Sequence, residues 1–122
     1  MASEKAKRPQ SRGEEIANTV SHGVGALLAL AGAAPLAVRG ILSGSFKTGF
    51  SLTVYGISLV LLYTASAVYH AAIDPKVKRA LRVMDHCSIF VLILGTYVPM
   101  SLLVVGGRTG WMLFLTNTTL AA

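Results

Sequence analysis

Residues 48–73, TGFSLTVYGISLVLLYTASAVYHAAI, contain no Asp, Glu, Lys or Arg. At ~1.5 Å per residue, a helix of this length exceeds the ~30 Å hydrocarbon core of a bilayer. The stretch nevertheless carries Ser66 and His70, four positions apart, close to its end. It therefore predicts a membrane-spanning helix with polar side chains at one end.

The rest of the chain is similar in character, since its 122 residues are 53% hydrophobic and only 13% charged. Such a composition is too apolar for an ordinary soluble domain. Two further spans are predicted at 16–38 and 84–107, whereas the apolar stretch at 111–122 is too short to cross the core. We expect an all-α integral membrane protein with three complete transmembrane helices and a truncated fourth. The membrane helical domain, 16–122, is then incomplete at its C-terminus and follows a basic tail, 1–15.

The basic tail leaves one alternative for the first span, which is a cleaved secretory signal ending at the small residues of LALAGAAP. A signal core has ~7 to 15 apolar residues, whereas this charge-free run has 23. Asn18, Ser21 and His22 also interrupt the run early. We therefore favour a retained membrane helix.

Lysine and arginine are unevenly divided among the connections. Four lie in the tail, two flank the 39–47 loop, four lie within 74–82, and one is Arg108. The positive-inside rule places the tail and the 74–82 loop in the cytoplasm, and the 39–47 and 106–110 loops outside. We expect the basic loops to contact anionic inner-leaflet lipid, and the sequence contains no nucleic-acid-binding module.

Polar side chains converge near the predicted cytoplasmic face. Ser66 and His70 lie on one helix face, and Asp85 begins the third span. An imidazole, a carboxylate and a hydroxyl at one depth are typical of a zinc site, although even an open zinc site has three protein ligands. Taken singly, His70 is also compatible with an interfacial residue that reaches water, and Asp85 with an acid at a helix N-terminus.

The neighbours of these residues offer few further ligands. Successive helical residues diverge by ~100°, so His86 and Cys87 are expected to point away from Asp85. Cys87 is the single cysteine, which excludes an intramolecular disulfide, and we expect it to be buried. In the first span a polar stripe recurs every fourth residue: Glu14, Asn18 and His22. We interpret the stripe as a hydrogen-bonded contact with another helix, with direct metal ligation as the alternative.

Small residues and one proline predict how the spans pack. Gly25, Ala29 and Ala33 are spaced four apart, which allows another helix to approach closely. Pro99 lies within the third span and removes one backbone hydrogen bond, so we expect a kink there.

Four short motifs occur in order along the chain: SHGVG, SAVYH, MDHCSIF and GTYVP. In order and spacing they resemble the hemolysin III branch of the progestin and adipoQ receptor family, from Glu14 to Pro99. The resemblance implies a seven-helix bundle in the bacterial inner membrane with a cytoplasmic N-terminus. It also implies a zinc near the cytoplasmic face, bound by the histidine that ends the second helix and by an H-x-x-x-H on the last. On this match His70 is a zinc ligand, while Asp85 and Ser66 orient the zinc-bound water.

The sequence departs from this pattern because it contains no H-x-x-x-H. We therefore expect the 122-residue chain neither to retain zinc nor to be active by itself. The wider superfamily resembles ceramide-type amide hydrolases, which implies a zinc-dependent enzyme acting on membrane lipids, or a role in membrane homeostasis. The alternatives are a non-enzymatic sensor or receptor and a pore-forming cytolytic protein.

Overall fold

The computed structural model describes residues 9–121. The predicted tail residues 1–8, and Ala122, lie outside this range. The described residues form helices α1 (Arg12–Leu42), α2 (Phe46–Ala71) and α3 (Pro75–Pro99), a π-helical segment (Met100–Val105) and α4 (Gly107–Ala121). No strand occurs within 9–121, so the predicted all-α fold is confirmed.

Three helical stretches are long and apolar enough to cross a membrane: Arg12–Leu42, Phe46–Ala71 and Pro75–Val105. The fourth helix, α4, has 15 residues and is shorter. Large apolar side chains along these helices are mostly exposed, as expected for surfaces that face lipid or further helices. The prediction of three complete spans followed by a shorter helix is confirmed.

The charge pattern predicted a loop at 74–82. This prediction was wrong, because the segment begins α3. The Asp74 side chain caps the helix by accepting hydrogen bonds from the backbone N–H groups of Lys76 and Val77, at 2.8 and 3.0 Å. Pro75 then occupies the first turn, where its missing N–H costs nothing. Because the following lysines and arginines are good helix formers, the connection from α2 shrinks to residues 72–74 and the cations lie on a helix.

The helices pack through small residues, with α2 between α1 and α3. A Cβ added to Gly56 of α2 would lie 2.8 Å from the Cβ of Ala33 in α1. A Cβ added to Gly95 of α3 would overlap the side chain of Ser58 in α2. Ala29 is also buried. The predicted role of small residues in helix contact is therefore confirmed.

The third span changes its helical form at Pro99. Because Pro99 has no N–H, the carbonyl of Gly95 loses its α-helical partner. The chain continues as the π-helical segment, and the N–H of Gly106 closes it by donating to the carbonyl of Ser101 at 3.0 Å. Gly106 and Gly107 have φ of 64° and 56°, in the left-handed region that favours glycine. The disturbance expected at Pro99 therefore takes the form of a wider helix and a glycine turn.

Candidate functional site

The polar residues of the predicted site lie where α1 begins, α2 ends and α3 begins. We call this region, comprising residues 11–22, 66–74 and 75–86, the basic end of the bundle. The α1 helix starts there in a capping box, in which the Ser11 hydroxyl accepts from the N–H of Glu14 and the Glu14 carboxylate accepts from the N–H of Ser11. This cap orients the first turn of α1 and therefore the next residue, Glu15.

The carboxylate of Glu15 joins all three helices. Its Oε2 lies 2.7 Å from Nδ1 of His70 in α2, and its Oε1 lies 2.8 Å from Nζ of Lys78 in α3. The side chains of His70, Glu15 and Lys78 are only 10%, 21% and 25% exposed. A carboxylate held by an ammonium group is ionised and only accepts hydrogen bonds, so Nδ1 of His70 carries the proton. In the neutral form of the ring, this contact leaves Nε2 as the unprotonated nitrogen.

Lys78 is held in place by two further contacts. Its ammonium donates to the carbonyl of Ala72 at 3.3 Å and lies 5.1 Å from the centre of the Tyr69 ring. The Tyr69 ring in turn lies 4.7 Å from the ring of His70. Lys78 therefore fixes both the Glu15 carboxylate and the end of α2.

Glu15 lies outside the predicted polar stripe, because the stripe follows a spacing of four residues. Glu15 and His22 are seven residues apart, which places them ~20° short of two full helical turns. Glu14 and His22 are eight apart, which is ~80° past two turns. A spacing of seven would therefore have identified Glu15 as the residue that shares the face of His22.

His22 makes the hydrogen-bonded interhelical contact that the stripe predicted. Its Nδ1 lies 2.6 Å from the hydroxyl of Ser66 in α2, which is 5% exposed. The ring of His22 also meets the rings of His70 and Tyr63 edge to face, with centroids 5.7 and 6.0 Å apart. Ser66 is thus buried against α1, one turn before His70.

Asp85 and His70 line one groove at the basic end, with a volume of about 740 Å³. The side chain of Asp85 is 16% exposed. His86 lines the same groove, but its side chain is 63% exposed and its Nδ1 donates to the carbonyl of Arg82 at 2.7 Å. Ser66 is not among the residues that line the groove. The structure thus places His70 and Asp85 on one groove. His86 lies at its mouth with Nδ1 3.7 Å from Oδ2 of Asp85, so the expectation that His86 points away from Asp85 was wrong.

The side chains at the basic end supply some, but not all, of the ligands that a zinc site needs. Within residues 9–121, no three His, Cys, Asp or Glu side chains are grouped so that they could hold a metal ion together. Cys87 is exposed, so the expectation of a buried cysteine was wrong; it lies on the outer side of α3, at the start of the exposed apolar surface. The Nε2 of His70, which has no hydrogen-bond partner in the described part of the chain, and the Asp85 carboxylate are donors of the type that zinc accepts.

Comparison with known proteins identifies the family. The family model described as Haemolysin-III related matches residues 10–122. Hemolysin-3 of Bacillus cereus is 39% identical over 108 residues, which cover 88% of this chain and 49% of that protein. The Hemolysin-3 homolog of Bacillus subtilis (strain 168) is 38% identical over 108 residues, covering 88% of this chain and 51% of that protein.

The chain thus spans about half the length of the curated relatives it matches. No solved structure gives a significant match. The family model covers nearly every residue, including the basic end and all four helices. The chain belongs to the haemolysin-III related family.

Proposed function

We propose that this chain contributes one wall of a zinc site at the basic end of a membrane bundle, with His70 as its zinc ligand. The observation that carries the proposal is the 2.7 Å contact between Nδ1 of His70 and the Glu15 carboxylate. Metal-binding histidines commonly donate their second ring nitrogen to a carboxylate, which fixes the tautomer and raises the basicity of the ligating nitrogen. His70 already has this arrangement.

Each polar residue has a distinct task in this proposal. Glu15 and Lys78 hold His70 in the Nδ1-protonated tautomer, so that Nε2 is available. Asp85 lines the groove beside His70 and serves as the group that positions water and moves a proton. Ser66 and His22 support the turn of α2 that precedes His70.

The reaction class we propose is hydrolysis of an amide in a membrane lipid. When bound, zinc lowers the pKa of water and polarises a carbonyl. The groove of about 740 Å³ lies within the range of small-molecule sites. It opens where the apolar part of α3 begins, a depth at which a lipid headgroup would present its carbonyl to Asp85.

We also propose that the basic end faces the cytoplasm of a bacterial cell and that the chain resides in the inner membrane. The first eight residues of α3 carry four cations, which are Lys76, Lys78, Arg79 and Arg82. The connection at residues 43–45 carries none, and its nearest cations are Arg39 and Lys47. This asymmetry supports the orientation under the positive-inside rule.

The zinc proposal is tested by titrating the chain in lipid nanodiscs while the histidine ring nitrogens are observed by ¹⁵N NMR. We expect zinc to shift Nε2 of His70 first, and this response to disappear in His70→Ala. His86→Ala is the matched control and should leave the response intact. A first response at His22 or His86, or no saturable response, would overturn the assignment.

A second arm tests the ligand count. Structural zinc sites with four ligands bind with apparent free energies of ~10 to 16 kcal/mol, and His70 with Asp85 should fall far below this range. We expect the 122-residue chain to lose zinc on dialysis. A longer chain that adds the two histidines of an H-x-x-x-H should retain stoichiometric zinc and lose it on His70→Ala. Stoichiometric zinc that is unaffected by this substitution would place the site elsewhere.

A further inference from the structure

Among the residues that the structure describes, two arginines at the basic end have no ion-pair partner. Arg79 and Arg82 line the same groove as His70 and Asp85. Within residues 9–121, neither guanidinium forms an ion pair or a side-chain hydrogen bond, whereas Lys78 is bound to Glu15. The two arginines are three residues apart on α3, so their Cβ atoms are ~5 to 6 Å apart on one helix face. They place two exposed cationic groups at the wall of the groove.

The charges along the groove leave an excess of one positive charge. Its lining includes the cations Lys78, Arg79 and Arg82 and the anions Glu15 and Asp85. Lys78 and Glu15 neutralise each other at 2.8 Å. With the two histidines of the lining neutral, two guanidinium groups then stand against the single carboxylate of Asp85, which leaves one positive charge. One monoanionic group would balance the groove.

The guanidinium group favours a particular kind of anion. Its planar fork of N–H donors matches the oxygen pairs of phosphate, which it binds through two parallel hydrogen bonds. A phosphodiester carries one negative charge and two unesterified oxygens. Two adjacent arginines therefore match a phosphodiester both in charge and in donor geometry.

The depth of Arg82 matches the phosphate layer of a bilayer, and Arg79 lies about one helical turn further out. The charge-free part of α3 begins at His86, so Arg82 lies four residues, or ~6 Å, above it along the helix axis. The headgroup layer adds ~5 to 8 Å to each side of the hydrocarbon core. Tyr69 lines the same groove, and tyrosine is enriched at this interface.

We infer that Arg79 and Arg82 form a binding site for the phosphodiester of an anionic membrane lipid. An anionic phospholipid with a neutral head alcohol balances the groove, whereas a zwitterionic lipid adds an ammonium group and leaves the excess charge in place. The site goes beyond the proposed zinc function, because it uses neither His70 nor a metal.

The test is native mass spectrometry of the zinc-free chain, released from nanodiscs that contain equal amounts of phosphatidylglycerol, phosphatidylethanolamine and phosphatidylcholine. We expect the wild type to retain phosphatidylglycerol selectively. Arg79→Gln combined with Arg82→Gln should reduce this retention about tenfold or more, because one hydrogen bond to a charged group contributes a factor of about ten or more. The matched control, Lys47→Gln combined with Arg108→Gln at the opposite end, should retain the lipid as the wild type does.

Three further arms separate the possible outcomes. Arg79→Lys with Arg82→Lys keeps both charges but removes the planar forks of N–H donors, so selective retention should fall while helix content, measured by circular dichroism, is unchanged.

Inorganic phosphate at millimolar concentration should not displace the lipid; displacement would assign the site to free phosphate. His70→Ala should leave lipid retention intact, so that failure of the zinc proposal is distinguishable from failure of this one. Equal retention by the Gln double variant and the wild type would refute the site.

Discussion

The apolar middle of the bundle and its basic end join the same helices by different means. In the middle, α2 meets α1 through Gly56 and Ala33, and α3 through Ser58 and Gly95. At the basic end, α2 meets both neighbours through the side chains of one ion cluster, formed by Glu15, His70 and Lys78. Helix contacts in the middle require small side chains, whereas helix contacts at the basic end require charged ones.

Depth in the membrane explains this difference. Lipid tails are as apolar as leucine, so helices in the hydrocarbon core gain from close backbone approach rather than from burying apolar surface. Charged groups are expensive in that layer and are accommodated near the interface, where water and headgroups solvate them. The polar residues buried in the described chain fit this division, because they are all small serines: Ser51, Ser58, Ser66, Ser88 and Ser101.

The largest expected effect concerns the side of the membrane on which each end lies. In a Cys87→Ser background, Ser43→Cys should react with a membrane-impermeant maleimide added to intact cells. Ile73→Cys should react only after permeabilisation, because the orientation proposed from the positive-inside rule has the basic end in the cytoplasm. Leu28→Cys, in the middle of α1, should be protected in both conditions. Labelling of Ile73→Cys from outside would reverse the proposed orientation.

The second expected effect tests the packing of the apolar middle. Gly95→Ala should destabilise the bundle, because the new Cβ would lie 2.7 Å from the Cβ of Ser58, which cannot move without its helix. Overpacking costs ~1 to 3 kcal/mol, and the alanine recovers ~0.5 to 1 kcal/mol of backbone entropy. We expect a net loss of about 1 to 2 kcal/mol in reversible unfolding by detergent.

Gly32→Ala is the matched control for this substitution. A Cβ added to Gly32 has no atom within 4 Å outside its own helix backbone and chain neighbours. The substitution should therefore stabilise the chain by ~0.5 to 1 kcal/mol. If both alanine substitutions changed stability in the same direction, the close approach of α3 to α2 would not explain why position 95 requires glycine.

The smallest of the three effects tests the basic end. Glu15→Gln should destabilise the bundle by about 1 kcal/mol, because the partly exposed Lys78 loses its ion pair and His70 its charged acceptor. Glu14→Gln should be nearly neutral, since glutamine also completes a capping box. The same unfolding assay and the ring-nitrogen spectrum of His70 measure both variants. Equal stability of Glu15→Gln and Glu14→Gln would contradict the role given to Glu15.

Most of the fold follows from hydropathy, because a charge-free run of more than 20 residues has few stable forms in a bilayer other than a helix. Hydropathy did not predict the start of α3, because the cations there lower the hydropathy without weakening the helix. The cap formed by Asp74 and Pro75 was visible in the sequence and would have corrected the boundary.

The site was less predictable than the fold. The shared groove of His70 and Asp85 follows from the short return between α2 and α3, which the sequence does indicate. The Glu15 contact depends on how α1 is rotated against α2, and that rotation is set by contacts such as Gly25 against Tyr63. A pattern within one helix indicates which residues share a face, but it does not indicate which residues of another helix that face contacts.

The π-helical segment at Met100–Val105 determines where the chain tolerates a change in length. A π turn is equivalent to one residue inserted into an α-helix, and it absorbs that residue locally. Deleting one residue between 100 and 105 would therefore restore an α-helix, while α3 and α4 keep their present faces. The same deletion within α2 would rotate every later side chain by ~100° and separate His70 from Glu15. Single-residue length differences among family members are thus expected at this segment rather than in the helices that carry the site.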